Sequence, residues 1–318
     1  MRHAILLPLL LAAAPALAEP VTVTDAAGIT LSFDAPRERP FCILSECLAG
    51  LAGLGLRPHS VWGDIYSDPE NGALVHYWGE QAAEIIVVPY ADDFENIAAV
   101  EPDLILMYDY ERAAFETFAP FYEMHFNIGD PLAQGRADME GFAALLGVPA
   151  DEAEAKISAL EARIAAYEAL SPKDRSVVIL MNFGAEADEG AFSVMGSACS
   201  VLERFAPCPQ GTPAEYFTTI NAEGLLALDP DFLLIEPAED TVAGRAAADE
   251  ALGTAGANPL WTELAAVRAG SVQPMPYVLR PTHLLSTAEW LDHYMPAIYP
   301  ETFPTPLTDD QVAAALGN

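Results

Sequence analysis

One short segment occurs twice in this chain, and this repetition is the feature that most limits how the chain can fold. The first copy, residues 94–106, reads FENIAAVEPDLIL, and the second copy, residues 222–234, reads AEGLLALDPDFLL. Their apolar positions coincide along the whole segment. A unit that is repeated so far apart in the sequence predicts two similar lobes rather than one large sheet. The shared polar and proline positions are Glu95 with Glu223, Pro102 with Pro230, and Asp103 with Asp231.

Each copy changes its apolar pattern partway along. Residues 95–100 have the spacing of a short helix, but Pro102 cannot continue it, because proline lacks the backbone N–H and its ring clashes with the preceding turn. The DLILM run that follows is continuously apolar, which is typical of a strand buried on both faces. Each copy therefore predicts a short helix, a Pro-Asp break and a central strand of a parallel sheet.

The rest of the chain alternates between strand and helix patterns in the same way. The fold class that this order predicts is α/β, with mainly parallel sheets flanked by helices. An Ala-Gly turn inside residues 21–33 indicates a β-hairpin at the start. Further strands are predicted at 40–45, 60–65, 85–88, 177–183 and 271–276, and helices at 46–56, 200–206, 258–270 (closed by Gly270) and 286–300.

A long amphipathic helix is predicted between the two copies, at residues 150–170, with a length of about 30 Å. We interpret it as a rigid spine that joins the lobes; a crossover helix within one sheet is the alternative. Its apolar face is Ala153, Ile157, Leu160, Ile164 and Tyr167, and its opposite face is Glu152, Glu161, Arg163 and Glu168. The predicted division is a first lobe at 19–149, the connecting helix at 150–171 and a second lobe at 172–318.

The composition indicates a folded and strongly acidic protein. Hydrophobic residues make up 52% of the chain, which is enough for a sizeable core. The net charge is −33, from 14 Lys and Arg against 47 Asp and Glu. Such a surface repels nucleic acids and anionic lipids, so nucleic-acid binding is not expected.

The first eighteen residues read as a secretory signal peptide. A short polar start precedes the apolar run AILLPLLLAAAPA, which is too short to span a membrane as a mature helix. The ALA sequence at 16–18 is a cleavage site that would release a chain starting at Glu19. We therefore expect an exported, periplasmic protein with its signal peptide cleaved after Ala18.

Four cysteines form two pairs that are close in sequence. Export permits disulfides, so we predict that each pair is oxidised. Four buried thiols are the alternative, and metal ligation is weakly supported, since no C-x-x-C spacing occurs and no histidine is close to either pair. The pairs are Cys42 with Cys47, and Cys199 with Cys208.

The sequence lacks the common motifs of nucleotide binding and hydrolysis. It contains neither glycine-rich phosphate-binding pattern, no G-x-S-x-G and no H-E-x-x-H. No catalytic residue and no metal site is predicted, although an exported metal-dependent α/β enzyme, with zinc held by scattered histidines, stays open as an alternative. An exported two-lobed protein without catalytic motifs suggests a protein that captures a ligand.

Four phrases, in order, resemble those of one family, the iron-siderophore and vitamin B12 periplasmic binding proteins of ABC importers. They are VTVTDAAGITLSFDAPRERP from Val21, the two copies of the repeat, and NPLWTELAAVRAGSVQPMP before the last strand. The resemblance extends to about residue 296. It implies two lobes of parallel sheet, one connecting helix, a ligand in the cleft between the lobes, and only small closure motions.

The resemblance also assigns a role to the duplicated glutamates. Family members present one surface Glu on each lobe to arginines of the two permease subunits, and by motif these residues are Glu95 and Glu223. The alternative is local, because Glu in a first helical turn is favoured by the helix dipole by about 0.3–1 kcal/mol.

Ligand-binding residues are expected beyond the carboxyl ends of the parallel strands. Aromatic rings there would cover the apolar face of a ferric siderophore, and arginines would meet its anionic, oxygen-rich edge. Core packing is the alternative for each aromatic. The candidates are Tyr66, Tyr90, Tyr108, Tyr110, Arg112, Tyr277 and Arg280, with Ser45 and Glu46 after the first buried strand, and Tyr216 ahead of the second copy.

The expected function is capture of a ferric siderophore and its delivery to a dimeric ABC permease in the inner membrane. The protein is expected to be a monomer without a cofactor. The same role for cobalamin or haem is the alternative within the family.

Overall fold

Two five-stranded sheets, with a long helix between them in the sequence, organise the described part of the chain. The structure is a computed structural model and describes residues 20–63, 72–89, 94–109, 112–125, 129–183, 191–210, 217–237, 242–256 and 258–317. The predicted signal peptide, residues 1–18, lies outside these ranges. Among the described residues, no helix has the length and apolar character needed to cross a membrane.

The first lobe begins with the predicted hairpin, β1 (Val21–Thr24) and β2 (Thr30–Phe33). Its sheet has five parallel strands in the order β5-β4-β3-β6-β7. The strands are β3 (Pro40–Cys42), β4 (Ser60–Trp62), β5 (Ile86–Val88), β6 (Leu104–Met107) and β7 (Phe121–Glu123); the helices are α1 (Ser45–Gly53), α2 (Ala73–Trp78), a 3₁₀ helix (Gly79–Glu84), α3 (Phe94–Ala99), α4 (Arg112–Phe115) and α5 (Pro131–Leu145).

The connecting helix α6 (Ala150–Leu170) leads into the second lobe, whose sheet has the order β10-β9-β8-β11-β12. Strands β8, β11 and β12 are parallel, as predicted. The strands are β8 (Val177–Phe183), β9 (Ala191–Met195), β10 (Phe217–Asn221), β11 (Phe232–Pro237) and β12 (Val272–Pro274); the helices are α7 (Gly196–Leu202), α8 (Ala222–Leu228), α9 (Val242–Gly256), α10 (Pro259–Glu263), α11 (Ala265–Ala269), a 3₁₀ helix (Tyr277–Leu279), α12 (Leu284–Ile298) and α13 (Asp309–Ala315).

Strands β9 and β10 were not predicted from the sequence. They pair antiparallel with each other, and β9 pairs antiparallel with β8. Both carry polar residues, such as Ser193, Thr218 and Thr219, so neither shows the continuous apolar run that marks the buried parallel strands. This sheet is therefore mixed, since two of its four described strand pairings are parallel and two are antiparallel.

The duplicated segment folds into the same unit in both lobes. Strands β6 and β11 are buried along their whole length and pair in parallel with β3 and β8, respectively. The residue before each proline has a left-handed backbone, with φ of 45° at Glu101 and 38° at Asp229. The chain passes from helix to strand at this turn, within three residues of the proline. Both lobes need the same turn, so both copies of the repeat contain the Pro-Asp break.

The duplicated aspartates hold the start of the neighbouring strand. Asp103 accepts hydrogen bonds from the backbone N–H of Glu38 and of Arg39, at 2.9 and 2.8 Å. Asp231 accepts from the backbone N–H and the hydroxyl of Ser176, at 2.8 and 2.9 Å. In each lobe the repeat therefore fixes the register of its central strand against the strand beside it.

The helix predicted at 258–270 is divided into α10 and α11 by Leu264, whose backbone is extended (φ −60°, ψ 136°). The carboxylate of Asp229 accepts a hydrogen bond from the backbone N–H of Ala265 at 2.7 Å and so caps the start of α11. A tertiary contact with the repeat thus interrupts a sequence that has helical spacing throughout.

One hydrophobic cluster extends through both lobes. It includes Leu48 of α1, Ile157 of α6, Ile179 of β8 and Trp290 of α12. Two smaller clusters lie in one lobe each, one around Ile105 and the other around Leu233 and its neighbours. The lobes are thus joined by a shared core and not by the connecting helix alone. The boundaries predicted at residues 149/150 and 171/172 stay a prediction.

The polar face of α6 is less exposed than its sequence suggests. Arg163 donates to both carboxylate oxygens of Asp292 in α12, at 2.9 and 2.8 Å, and Tyr167 donates to the same carboxylate at 2.7 Å. Glu161 accepts from Arg136 of α5 at 2.7 Å. Charged residues on this face therefore bind α6 to the neighbouring helices.

Helix α12, the last but one of the described helices, returns to the first lobe and packs against α1, α5 and α6. The contact is close, because α1 carries small residues: a Cβ atom at Gly50 would lie 3.3 Å from the His283 ring. His76 of α2 also contacts the carboxylate of Glu289 in α12, at 3.0 Å.

Both predicted disulfides are present, and no described cysteine is free. Cys42 ends β3 and Cys47 lies in the first turn of α1, so this bridge closes the turn that contains Ser45 and Glu46. The second bridge, Cys199–Cys208, joins α7 to the segment that follows it.

Candidate functional site

The carboxyl ends of the parallel strands place a row of side chains along one edge of each sheet. In the first lobe, β3, β6 and β7 are neighbours, and they are followed by Ser45, Tyr108 and His125. Adjacent strands are about 5 Å apart, so this row extends over about 10 Å. In the second lobe, β11 ends with Glu236 and Pro237.

Residues from both lobes line one narrow pocket, which we name the interlobe pocket. Glu46 connects the two sides: its carboxylate accepts from the hydroxyl of Ser45 at 2.9 Å and from that of Thr282 at 3.2 Å. Glu46 is only 5% exposed and lies in the first turn of α1, where the helix dipole favours a carboxylate. The lining residues are Ser45, Glu46, Tyr277, Val278, Arg280, Thr282 and Ser286.

Arg280 is buried in this pocket and bound to Glu236. Its guanidinium donates through Nε to the carboxylate at 2.6 Å, and a second bond runs from Nη2 to the other oxygen. Arg280 is 5% exposed and Glu236 is fully buried. The guanidinium also lies over the ring of Tyr277, at 3.7 Å from its centre. Burial raises the pKa of the Tyr277 phenol, so it stays protonated and can donate a hydrogen bond.

The predicted cation Arg112 lies in a separate cluster of charges. It starts α4, and its guanidinium contacts Asp25 and Glu123 at 3.0 Å and Glu116 at 2.7 Å. Its charge is therefore compensated by three carboxylates within the first lobe. A ligand contact for Arg112 stays a prediction.

Extending the repeat by two residues identifies Glu236, the ion-pair partner of Arg280, which is absent from the residues predicted from the sequence. Tyr108 follows strand β6, and the position that corresponds to it in the second copy is Glu236. The two lobes thus place a tyrosine and a glutamate at equivalent points on their carboxyl edges. An acidic residue that interrupts the apolar end of a duplicated strand is the signal that could have identified Glu236.

Four of the predicted tyrosines are outside the described residues. The structure brings Tyr277 and Arg280 together in the interlobe pocket and places Tyr108 on the edge of the first lobe. The four tyrosines that stay as predictions without a described position are Tyr66, Tyr90, Tyr110 and Tyr216.

His125, which the sequence reasoning did not select, is held in a fixed orientation. Its Nδ1 lies 2.8 Å from a carboxylate oxygen of Asp138 in α5, and its backbone N–H donates to the same carboxylate at 3.1 Å. The hydrogen bond with Asp138 raises the pKa of His125. Because Nδ1 is occupied, Nε2 is the ring nitrogen that is left for a ligand at this edge.

The duplicated glutamates occupy equivalent and exposed positions. Glu95 lies in the first turn of α3 and Glu223 in the first turn of α8, and both side chains are on the surface. Asn221 caps α8 by accepting from the N–H of Gly224 at 2.8 Å.

Among the described residues, no group of three or more His, Cys, Asp and Glu side chains has the arrangement needed to hold a metal ion. The site described so far can bind a ligand through aromatic rings, hydroxyl groups and one ion pair.

A model of the periplasmic binding protein family matches residues 77–277. The chain belongs to that family. The family predicted from the sequence is thus confirmed. Periplasmic binding proteins carry solutes and do not transform them, so the prediction of a binding protein rather than an enzyme is confirmed as well.

Solved structures show the same fold as this periplasmic binding protein. The triscatecholate siderophore binding protein FeuA from Bacillus subtilis, solved with ferri-bacillibactin, is 15% identical, with a TM-score of 0.68 over 88% of this chain and 98% of that one. PiuA from Streptococcus pneumoniae, an iron-uptake substrate-binding protein, is 19% identical, with a TM-score of 0.67 over 87% and 98%.

A third similar structure belongs to an ABC-type Fe3+-hydroxamate transport system from Saccharomonospora viridis. It is 18% identical, with a TM-score of 0.63 over 94% of this chain and 100% of that one. A comparison with curated protein sequences finds no match. At these identities the likeness establishes the two-lobed α/β fold of this periplasmic binding protein, and so confirms the predicted fold class.

Proposed function

We propose that this protein captures a ferric siderophore in the cleft between its lobes and delivers it to the permease of an ABC transporter. The observation that carries the proposal is that the carboxyl edges of the two sheets meet, since residues after β3 and residues after β12 line one pocket. The empty volume of this pocket is about 150 Å³, so it can take one group of a chelate and not the whole complex. Ligands of open α/β sheets bind beyond the carboxyl ends of the strands. Structures of similar fold include proteins solved with ferric siderophores, which supports an iron complex as the ligand.

The proposed contacts are the pocket residues Tyr277 and Arg280 and the edge residues Tyr108 and His125. Stacked rings cover apolar ligand surface, and the buried ion pair fixes the ring of Tyr277 in place.

The test is a fluorescence titration of the purified mature protein. Trp62 ends β4 at the carboxyl edge and is available as a reporter. The probes are a ferric hydroxamate, a ferric catecholate, ferric citrate, cobalamin and haem. Saturable one-to-one quenching by a ferric chelate supports the proposal. Saturation by cobalamin or haem alone, or by none of the probes, rejects it.

We also propose that Glu95 and Glu223 dock the loaded protein on a dimeric permease, one glutamate per subunit. Both side chains are exposed and belong to the unit that is duplicated between the lobes. The two subunits of a permease dimer could therefore each bind one of these carboxylates through the same kind of site. Glu95→Ala combined with Glu223→Ala should abolish uptake in cells and leave ligand affinity unchanged.

The matched control is Glu301→Ala combined with Asp310→Ala, which removes two exposed carboxylates from the C-terminal segment. Uptake that survives the Glu95 and Glu223 double substitution rejects the docking assignment.

Export is proposed to remove residues 1–18, and N-terminal sequencing of the secreted protein should begin at Glu19. Size-exclusion chromatography should give the mass of a monomer.

A further inference from the structure

The Cys42–Cys47 disulfide ties the first turn of α1 to the middle of a sheet. Cys42 ends β3, where it pairs with Val61 of β4 on one side and with Leu106 of β6 on the other. Strand β3 is the middle strand of its five-stranded sheet. Cys47 lies in the first turn of α1. A covalent bond therefore fixes the start of this helix relative to the central strand of the first lobe.

The residues enclosed by this bridge include both first-lobe residues of the interlobe pocket, Ser45 and Glu46. The carboxylate of Glu46 accepts a hydrogen bond from the hydroxyl of Thr282 at 3.2 Å, which crosses from α1 to the segment after β12. Helix α1 also packs against α12 and against the 3₁₀ helix that contains Tyr277. The turn closed by the disulfide is thus the part of the first lobe that meets the pocket residues of the other side.

Within the described residues, no side chain caps the start of α1. Its N-cap is Leu44, which has an extended backbone and no hydrogen-bonding group in its side chain. In α5, by comparison, the Asp130 carboxylate accepts from the N–H of Leu132 and from that of Ala133, at 3.2 and 3.1 Å. Such caps stabilise the first turn of a helix. In α1 the disulfide takes over the task of holding that turn.

The second disulfide provides an internal comparison. In the chain-entropy model, a disulfide that closes a longer loop stabilises a protein more. The cysteines of the first bridge are 5 positions apart, and those of Cys199–Cys208 are 9 apart. All four cysteines are at most 5% exposed. The second bridge should therefore stabilise the protein at least as much, yet neither of its cysteines lines the interlobe pocket.

We infer that the Cys42–Cys47 disulfide positions Ser45 and Glu46 for the bound chelate, so that affinity depends on this bridge and not on Cys199–Cys208. This inference rests on the proposed function and adds a positioning role to it. Groups that are already held in their bound geometry lose less conformational freedom when a ligand binds. Without the bridge, the ligand would have to order the first turn of α1, which lowers the affinity.

The test compares two double substitutions that each remove one bridge. Cys42→Ala with Cys47→Ala removes the bridge at the pocket, and Cys199→Ala with Cys208→Ala is the matched control. The probes are a ferric trihydroxamate, a ferric tris-catecholate and ferric citrate. For each probe that saturates the wild-type protein, loss of the pocket bridge should weaken binding by at least about tenfold, and the control by less than about twofold. The melting temperature should fall at least as far in the control.

Amide hydrogen exchange separates positioning from a general loss of stability. Loss of the pocket bridge should speed exchange in α1 and in residues 277–282 more than in the central strands β8 and β11. A loss of stability alone would act most on the slowest amides, which exchange through global unfolding. The control should leave exchange in α1 and in residues 277–282 as in the wild type.

A second variant keeps the bridge and removes the groups that it positions. Ser45→Ala combined with Glu46→Gln should also weaken binding, by about tenfold. Unchanged affinity of this variant overturns the inference, even if the Cys42 and Cys47 variant does not fold.

Unchanged affinity without the pocket bridge overturns the inference and leaves the proposed function standing. Equal losses of affinity in the two cysteine variants do the same. Binding of none of the three probes by the folded wild-type protein rejects the proposed function instead. The exchange experiment needs no ligand, so it then decides whether the bridge fixes the turn.

Discussion

At the scale of single residues, the left-handed turns of the duplicated unit contain an unusual choice of side chain. Glu101 and Asp229 have positive φ angles, a region that glycine enters without steric cost. The Asp229 carboxylate accepts a hydrogen bond from the backbone N–H of Ala265 and so caps α11. Glu101 makes an exposed ion pair with Arg39, and such pairs contribute little to stability.

The substitution Glu101→Gly should therefore stabilise the protein by about 0.5–1 kcal/mol, because it relieves the strained backbone. Chemical denaturation measures this change in the free energy of unfolding. Asp229→Gly is the comparison and should give no gain, because the capping bond is lost. A loss of stability with Glu101→Gly would contradict this explanation of the turn.

His283 is expected to make stability depend on pH. Its side chain is 2% exposed, neither ring nitrogen hydrogen-bonds to the described residues, and burial lowers the pKa of His283 to about 4. In the unfolded chain the pKa is about 6.5, so between these values only the unfolded state binds the proton. Stability should thus fall as the pH drops, by about 3 kcal/mol between pH 7 and pH 4 from this group.

The variant His283→Leu should lose this part of the pH dependence, because leucine of similar size does not titrate. Denaturation at pH 7 and pH 4 gives the comparison. His293→Leu is the control, since the His293 side chain is exposed. If His283→Leu and the wild type lose the same free energy on acidification, the buried ring is not the cause.

At the scale of elements, the aspartate of each Pro-Asp break holds the start of the neighbouring strand by hydrogen bonds. Asp103→Ala should destabilise the protein by about 2 kcal/mol, because two backbone N–H groups at the start of β3 lose a charged acceptor. Thermal denaturation followed by circular dichroism measures the effect. Asp103→Asn keeps one acceptor oxygen and should cost less. Equal stabilities of Asp103→Ala and wild type would show that these bonds do not hold the strand.

Much of this level of structure could be predicted from local patterns. The apolar runs of β6 and β11 and the amphipathic face of α6 are properties of contiguous residues, so periodicity reveals them. The break between α10 and α11 depends on Asp229, which is distant in sequence. Strands β9 and β10 lack a continuous apolar run, and their pairing with the rest of the sheet defines them.

The candidate site was predictable only in part, for a similar reason. Tyr277 and Arg280 were predicted as candidates from the rule that ligands of α/β sheets bind beyond the carboxyl ends of the strands. This rule needs only the order of the strands in the sequence. The partners of Arg280 and Glu46 are set by the way in which the two lobes meet. No local pattern connects Glu46 with Thr282, although they form one hydrogen bond in the pocket.

At the scale of the whole molecule, the shared core limits how the lobes can move. The hydrophobic cluster that includes Ile157, Ile179 and Trp290 is continuous between them, and Arg163 and Tyr167 attach α6 to α12. Ligand binding should therefore change the radius of gyration by less than about 1 Å. Small-angle X-ray scattering with and without the saturating ferric chelate measures this change. A larger contraction would indicate a flexible hinge.

Because α12 packs against α1 and α5, the first lobe can be completed only late in the synthesis of the chain. A ribosome makes the chain from its N-terminus, so α1 and α5 are synthesised long before the helix that covers them. Until residues 284–298 have been added, the buried faces of Leu48 and Phe142 lack part of their partner. The first lobe can therefore complete its packing only after nearly the last helix of the chain has been made.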